Sequence, residues 1–148
     1  VDAHPDPAAA QLAALAPGQL AGTVRVVALP AVLPPAATRE VAVRIRNGGA
    51  AAWPAFNGDG VISARHLVFL LVRWYAGGRP LAEGGDVVAL PENVAPGESV
   101  EVRWPLTTPS RPGAYELELR VTQAVDGRRG VVGPDALRWP VRLDPALR

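Results

Sequence analysis

The sequence predicts an all-β domain, built as an antiparallel sandwich of seven to eight strands behind a short N-terminal helix or linker. The first observation is strict alternation of apolar and polar residues, as where Val41, Val43 and Ile45 alternate with polar or small residues. The second is that Gly and Pro turn signals recur at short intervals after Gly22. The third is that no helical pattern separates the predicted strands, which favours antiparallel pairing over a parallel sheet with crossover helices.

The chain of 148 residues has the length of one ordinary domain. We predict the sandwich over residues 22–148 and an N-terminal extension over residues 1–21. Within the extension, Asp6 can cap a helix and Pro7 suits its first turn. A linker from an upstream domain explains the same Ala-rich stretch equally well, so both interpretations stay open.

Charge and composition exclude several classes of function. The formal net charge is +1, from 15 basic and 14 acidic residues, so nucleic-acid binding is not predicted. The chain contains no cysteine, which excludes disulfides and thiolate metal sites. No stretch approaches the roughly 20 apolar residues that a membrane-spanning helix needs, so no membrane span is predicted.

The predicted strands follow one another in a simple order. Residues 66–75 form the longest apolar run and predict a central strand, which Gly77 and Gly78 end. We predict a Gly-rich hairpin loop over residues 126–134, before the last strand. The other strands are predicted at residues 23–29, 39–47, 86–90, 98–106, 114–122 and 137–143.

Two aromatic residues predict an immunoglobulin-like form of the sandwich. Tyr115 follows Pro112 and Gly113 at the start of the penultimate strand, where such folds place a tyrosine corner. Trp74 lies near the end of the central strand and takes the part of the core tryptophan. Because no disulfide can join the sheets, large side chains must fill the core.

No arrangement of residues in the sequence predicts catalysis, so we predict a protein that is not an enzyme and holds no cofactor or metal. Ser63 lies three residues before His66, but nothing specifies an orienting acid or oxyanion donors for this pair. Residues 57–60 resemble a calcium loop weakly, without its further acidic ligands and closing Glu. We interpret them as a turn.

Trp53 and the loop after it form the first candidate binding site. An exposed aromatic ring beside amides and carboxylates is what stacking on a sugar ring requires. The sequence favours a Trp53 that closes the end of the core, and a carbohydrate site is the alternative interpretation. Both interpretations stay open. The candidate residues are Trp53, Phe56, Asn57, Asp59 and His66.

The central strand carries the second candidate, a face for protein interaction. The side chains on one face of this strand, which include Trp74, are suited to the core. The other face is also largely apolar, unlike the outer sides of the neighbouring strands, so something must cover it. The alternatives are the N-terminal helix, a long loop, a neighbouring domain or subunit, and a ligand. The residues of this candidate face are Phe69, Leu71, Arg73 and Tyr75.

The pattern of residues 39–123 resembles a group of immunoglobulin-like modules. The resemblance is carried by Val41-x-Val-x-Ile-x-Asn47-Gly, Trp53-Pro, Leu70-x-Val-Arg-Trp74 and Pro112-Gly-x-Tyr115. Such modules end many bacterial glycosyltransferase-like, methyltransferase-like and polysaccharide-export proteins. The pattern is also similar to the tryptophan-containing Ig-like domain of autophagy receptors. The resemblance implies an accessory module of cell-surface glycan machinery without catalytic residues.

These observations lead to one functional prediction and one alternative. We predict a non-catalytic module with a structural or protein-interaction role in a bacterial cell-envelope protein or assembly. Its partner would be a neighbouring domain or protein subunit. The alternative is a carbohydrate-binding module that takes a glycan at Trp53 and the 57–66 loop. We expect an extracytoplasmic location, periplasmic or at the cell surface, with the cytoplasm as the alternative.

Overall fold

The structure is a computed structural model, which describes residues 17–55, 67–82, 85–125 and 128–147. Within these residues it contains a short 3-10 turn and nine strands. The turn is Pro17–Leu20, and the strands are β1 (Gly22–Ala28), β2 (Val32–Leu33), β3 (Thr38–Asn47), β4 (Val68–Ala76), β5 (Arg79–Pro80), β6 (Asp86–Ala89), β7 (Ser99–Thr107), β8 (Gly113–Val125) and β9 (Arg128–Leu143).

Two sheets pack face to face and enclose the core. The smaller sheet has the order β1-β3-β7, with antiparallel pairs throughout. The larger sheet has the order β2-β9-β8-β4-β5, and β6 pairs with β4 as well. β2 and β9 form the one parallel pair among the described strands. Because β1-β3-β7 and β9-β8-β4 match the two sheets of an immunoglobulin-like sandwich, the predicted fold class is confirmed.

Alternation along the strands builds the core as predicted. In β4 and β7, buried side chains alternate with more exposed ones along most of each strand. Because successive side chains of a strand point to opposite faces, every second side chain enters the core. Trp53 and Trp74 are the largest of the fully buried side chains. Large aromatic groups therefore fill the space between the sheets.

The structure confirms the predicted tyrosine corner and the core tryptophan. The Tyr115 hydroxyl donates to the carbonyl oxygen of Arg111 at 2.7 Å, which ties the start of β8 to the turn before it. The Tyr115 ring meets the Trp74 ring edge-on, with 6.0 Å between centroids. Trp74 Nε1 donates to the carbonyl oxygen of Thr107 at 3.1 Å, so this indole joins the larger sheet to the smaller one.

The predicted hairpin loop over residues 126–134 is wrong, because most of this stretch belongs to β9. β9 begins at Arg128 and pairs with β8 along its length, and two register shifts keep the strands paired through the Gly-rich part. A Cβ at Gly133 would lie 2.7 Å from the carbonyl oxygen of Val121. This glycine therefore permits close packing inside a hairpin, whereas its sequence context suggests a loop.

The 3-10 turn before β1 is packed into the sandwich. Leu20 is fully buried and lies against β9 beside Gly133. The carbonyl oxygen of Gln19 accepts the indole N–H of Trp53 at 2.8 Å. The packed structure thus includes residues just before Gly22. The part of the predicted helix that precedes residue 17 lies outside the described residues.

A buried amide fixes the end of β3. Asn47 Nδ2 donates to the carbonyl oxygens of Ala51 and Val94 at 2.8 and 2.9 Å. Its Oδ1 accepts the N–H of Gly49 at 2.9 Å. The polar atoms of this buried side chain are all satisfied, as buried amides require. Asn47 therefore holds the loop that carries Trp53 against the segment that leads to β7.

Candidate interaction face

The structure places Phe69, Leu71, Arg73 and Tyr75 on the outer face of the larger sheet. Each is half-buried, whereas the side chains between them are buried in the core. β8 pairs with one side of β4, and β6 pairs with the other side along residues 69–72. The four side chains therefore lie near the edge of the larger sheet, between a long strand and a short one.

Apolar side chains on this face continue from β4 onto β6. Ala89 lies opposite Phe69, and Val87 lies opposite Leu71. Val87 is 68% exposed, the largest exposed fraction among the large hydrophobic residues of the described chain. We call these four residues, Phe69, Leu71, Val87 and Ala89, the apolar stripe. Neighbouring exposed apolar groups of this kind are typical of interaction surfaces.

A buried carboxylate lies next to the apolar stripe. Glu118 is on the outer parity of β8, yet it is only 5% exposed. Arg138 donates to its Oε2 through Nε at 3.2 Å and through Nη2 at 3.0 Å. Arg120 Nη2 is 3.8 Å from the same oxygen. Hydrogen bonds between charged groups are stronger than neutral ones, and here they offset the burial of the carboxylate.

Tyr75 completes this arrangement, which we call the Glu118 cluster (Glu118, Arg138, Arg120 and Tyr75). The guanidinium carbon of Arg138 is 4.3 Å from the centroid of the Tyr75 ring, a cation–π contact. The Tyr75 hydroxyl is 3.5 Å from Glu118 Oε1, a long hydrogen bond. Arg120 Nη1 donates to the carbonyl oxygen of Gly133 at 2.8 Å. Each member is held by more than one contact, so the cluster presents a fixed surface.

Arg73 differs from the other arginines of this face. It lies opposite Glu118 in the β4–β8 register, but Arg138 takes that carboxylate from the β9 side. In the part of the chain that the structure describes, no carboxylate comes within salt-bridge distance of Arg73. A half-buried positive charge is therefore left between the apolar stripe and the Glu118 cluster.

The carbohydrate hypothesis loses its main residue. Trp53 is 0% exposed, so neither face of its ring can stack on a sugar. Its backbone pairs with Val94 in an isolated bridge, and a Cβ at Gly22 would lie 2.7 Å from its ring. Trp53 closes the end of the core, as the favoured interpretation holds. The remaining candidates of this site lie outside the described residues: Phe56, Asn57, Asp59 and His66.

The described part of the chain contains no cluster of possible metal ligands. No three His, Asp or Glu side chains there lie close enough to share a metal ion. The clear pKa shift among those residues is that of Arg103, which its hydrogen bond to Glu101 raises. That pair is on the exposed side of the smaller sheet. None of the described residues belongs to a helix with the length and hydrophobicity to cross a membrane.

Sequence reasoning misses Glu118 and Arg138. Alternation places both on outward positions, and such charged residues are usually solvated. Their importance depends on the register, which sets Glu118 between Arg73 and Arg138 on three adjacent strands. The available signal is an arginine inside an otherwise apolar strand together with the Glu-x-Glu pattern of β8. Neither signal specifies the pairing.

Fold and face together define an immunoglobulin-like β-sandwich module with a structured outer surface. No protein-family model and no curated protein matches the sequence. Among solved structures, the chain is similar to Spo0M, the sporulation control protein of Bacillus subtilis, with a TM-score of 0.50 and 14% identity. That similarity covers 84% of this chain and 49% of the other, so the chain spans about half the length of Spo0M.

Weaker similarities link the chain to two further solved structures. One is the CARDB domain of PF1109 from Pyrococcus furiosus, with a TM-score of 0.47 and 17% identity over 84% of this chain and 94% of that one. The other is a β-glucosidase from Listeria innocua, with a TM-score of 0.43 and 15% identity over 83% of this chain and 16% of that one. At these identities the similarity to Spo0M concerns the fold alone, and the two weaker ones support nothing further.

Proposed function

We propose that this protein is a non-catalytic immunoglobulin-like module that docks onto another protein surface through the outer face of its larger sheet. The observation that supports this proposal is the apolar stripe beside the Glu118 cluster. Tyr and Arg are enriched at the energetic centres of protein interfaces, and apolar groups fill those centres. The outer face of the larger sheet combines these residue types within a few adjacent positions.

Preorganisation of the Glu118 cluster favours binding. Ordering a flexible side chain at an interface opposes association by about 0.5–1.5 kcal/mol. Arg138 is already held by Glu118 and by the Tyr75 ring. A partner that packs against Arg138 therefore orders little that is not ordered in the free protein.

The chemistry of the face specifies the chemistry of its partner. Apolar side chains of the partner would pack against the apolar stripe, and a carboxylate of the partner would pair with Arg73. Complementary charges next to an apolar contact set the orientation and the rate of docking more than its strength. We propose that a neighbouring domain of the same polypeptide, or a second protein subunit, supplies this surface.

We also propose that the module works in a bacterial cell-envelope protein or assembly, outside the cytoplasm. The support for this setting is the sequence resemblance of residues 39–123 to modules of glycosyltransferase-like and polysaccharide-export proteins. Fractionation of cells that make the natural protein tests it. Recovery in the periplasm or at the cell surface is the expected result, and recovery in the cytoplasmic fraction alone contradicts it.

Glycan binding is the weaker alternative. Its chemistry needs an exposed ring, and Trp53 is buried under the turn at Gln19. No other described aromatic residue combines exposure with neighbouring amides in the way the hypothesis requires. Protein docking is therefore the function that the geometry supports best.

Site-specific photo-crosslinking tests the docking proposal. A photoreactive amino acid replaces Val87 in the natural full-length protein, expressed in its own organism, and crosslinked peptides are identified by mass spectrometry. We expect one discrete partner surface, and we expect Arg73→Asp to reduce its yield. Val32, which is 37% exposed on β2, is the matched control position. Equal products from positions 87 and 32, or no adduct from position 87, contradict the proposal.

A further inference from the structure

β1 is an edge strand whose backbone is not blocked by proline. Edge strands are commonly blocked by proline, by charges or by being very short. On the opposite edge of the smaller sheet, β7 carries Pro105. In the larger sheet, β9 carries Pro140 and β6 has four residues. β1 has seven residues and no proline, and its register is regular from Gly22 to Val26.

The hydrogen-bonding groups of β1 that face outward can be assigned from its neighbours. The carbonyl oxygen of Ala21 accepts the N–H of Gly48 at 2.9 Å, so Ala21 faces β3. Backbone groups of successive residues alternate in direction, which turns those of Val24 and Val26 toward the open edge. No described strand pairs with that edge. Two N–H and two C=O groups are thus in position to receive a strand.

The same alternation shows that proline blocks the other long edges. Arg142 N–H bonds to the carbonyl oxygen of Ala31 outside the β8–β9 ladder, so Pro140, two residues earlier, removes an outward N–H. Thr108 N–H bonds to Ala37 on the β3 side, so the nitrogen of Pro105 faces outward. Proline at such positions leaves the inner ladder intact while it stops strand addition. β1 has no proline at any position.

An open hollow lies beside the β1 edge, between the two sheets. Its volume is about 330 Å³, and it is lined by Gly22, Thr23, Val24, Ala136 and Leu137. Val24 and Leu137 are both half-buried apolar residues that pack against the core. Small apolar side chains of an added strand would enter this space and complete the burial of both residues.

An unsatisfied donor lies on the same inner face of β9. Trp139, two residues beyond Leu137, has a buried indole nitrogen with no hydrogen-bond partner among the described residues. Buried N–H groups of native proteins nearly always have a partner. Trp104 on β7, at the opposite edge of the smaller sheet, has a second indole nitrogen of this kind, so the feature is not confined to the side next to β1.

Arginines next to the edge indicate the charge of that strand. On the outer face, Arg25 lies directly opposite Arg44, and Arg46 follows two residues along β3. Like charges directly opposite one another destabilise a sheet. Arg44 has Glu101 at 3.9 Å, whereas no described carboxylate comes within salt-bridge distance of Arg25 or Arg46. Carboxylates on the outward side of an added strand would neutralise this group.

We propose that the edge of β1 at Val24 and Val26 binds an extended acidic segment of a partner protein by β-strand addition. In that segment, carboxylates alternate with small apolar residues. The backbone of the segment pairs with Val24 and Val26, its apolar residues enter the hollow beside Leu137, and its carboxylates lie next to Arg25. A second copy of this chain fits poorly, because it would place its own Arg25 against the same arginines.

Hydrogen exchange with a defined peptide tests this proposal. The probe is a seven-residue peptide of alternating Glu and Val, blocked at both ends, added to the full chain at low salt. Amide exchange is followed residue by residue by NMR. We expect the Val24 and Val26 amides to exchange at least about tenfold more slowly at saturating peptide. Amides of the β7 edge are expected to stay unchanged.

Two variants and two control peptides make the test specific. Arg25→Glu should weaken peptide binding roughly tenfold, and added salt should weaken it as well. Arg79→Glu, the same change on exposed β5, should leave binding unchanged. Val24→Pro should abolish binding while β4 amides stay protected, because the lost N–H faces away from β3. A peptide with grouped Glu and Val, and one with Lys in place of Glu, should not protect the edge.

Four results would overturn the proposal. The first is unchanged exchange of Val24 and Val26 at millimolar peptide, and the second is equal protection by the control peptides. The third is edge protection that rises with protein concentration alone, which would make a second copy the occupant. The fourth is protection that exists in the dilute free protein, which would mean that the chain covers its own edge.

Discussion

The two outer faces of the sandwich use the same residue types and differ in how far these are removed from water. On the smaller sheet, Arg103 bonds to Glu101 at 2.7 Å and lies 3.5 Å from Glu40. The side chains of this ladder are 30% to 70% exposed. On the larger sheet, Glu118 makes similar ion pairs while its side chain is 7% exposed. The first face is a solvated surface, and the second is a fixed one.

This difference shows that charge pairing alone does not identify a functional face. Exposed ion pairs contribute little to stability because water and salt screen them. A nearly buried carboxylate depends on its partners much more strongly. The cover over Glu118 comes from neighbours such as Arg138 and Tyr75 on the same outer face. The face that we assign to docking is therefore the one whose charges are held in place.

Removal of the Glu118 carboxylate should lower the unfolding free energy more than any change to the ion pairs of the smaller sheet. Glu118→Ala leaves Arg138 and Arg120 without their shared partner, and we expect a loss of about 2–4 kcal/mol in unfolding free energy. Urea unfolding measures it. The matched control is Glu101→Ala on the smaller sheet, which should change stability little. If both variants unfold at the same urea concentration, the two faces do not differ as described.

Removal of the aromatic ring of Tyr75, which contacts Arg138, should lower the unfolding free energy by an intermediate amount. Tyr75→Leu removes the cation–π contact, and we expect a loss of about 1 kcal/mol in unfolding free energy. Tyr75→Phe keeps the ring and loses only the long hydroxyl contact, so it should stay close to the wild type. A double-mutant cycle with Arg138→Gln measures the coupling. Coupling near zero would show that the ring does not hold the guanidinium.

A charge reversal on the smaller sheet should change the unfolding free energy least, and it should raise it. Arg25→Glu places a carboxylate opposite Arg44, and we expect a gain of about 0.5 kcal/mol in unfolding free energy at low salt. The gain should vanish near about 1 M NaCl, where charges are screened over a few ångströms. Arg79→Glu, which lies opposite Ala76, is the control and should show no gain. A loss of stability in Arg25→Glu would show that Arg25 already has a partner.

Local signals in the sequence are enough to predict the fold. Alternation places the core residues of β4 and β8, and the Pro112-Gly113 turn before Tyr115 predicts the corner that the hydroxyl bond to Arg111 confirms. The position of the last hairpin is not predictable in this way. Gly133 fits tightly against Val121 only once the strands are paired, and glycine in sequence suggests a turn.

The candidate face is only partly predictable. The outward parity of β4 identifies Phe69 and Leu71, because their alternation is visible in one strand. The burial of Glu118 depends on the register of three strands, which the sequence does not specify. The sequence leaves two interpretations of Trp53 open, burial at the end of the core and exposure beside polar residues. Its burial follows from the turn at Gln19, which lies far away in sequence.

Hydroxyl-radical footprinting of side chains tests the central claim most directly. The module alone and the natural full-length protein in its native assembly are oxidised under the same conditions and compared by mass spectrometry. The account predicts that Phe69, Leu71 and Tyr75 react in the free module and are protected in the assembly. Val32, the exposed residue of β2, should react equally in both. Equal oxidation of Phe69, Leu71 and Tyr75 in the two samples would contradict docking through this face.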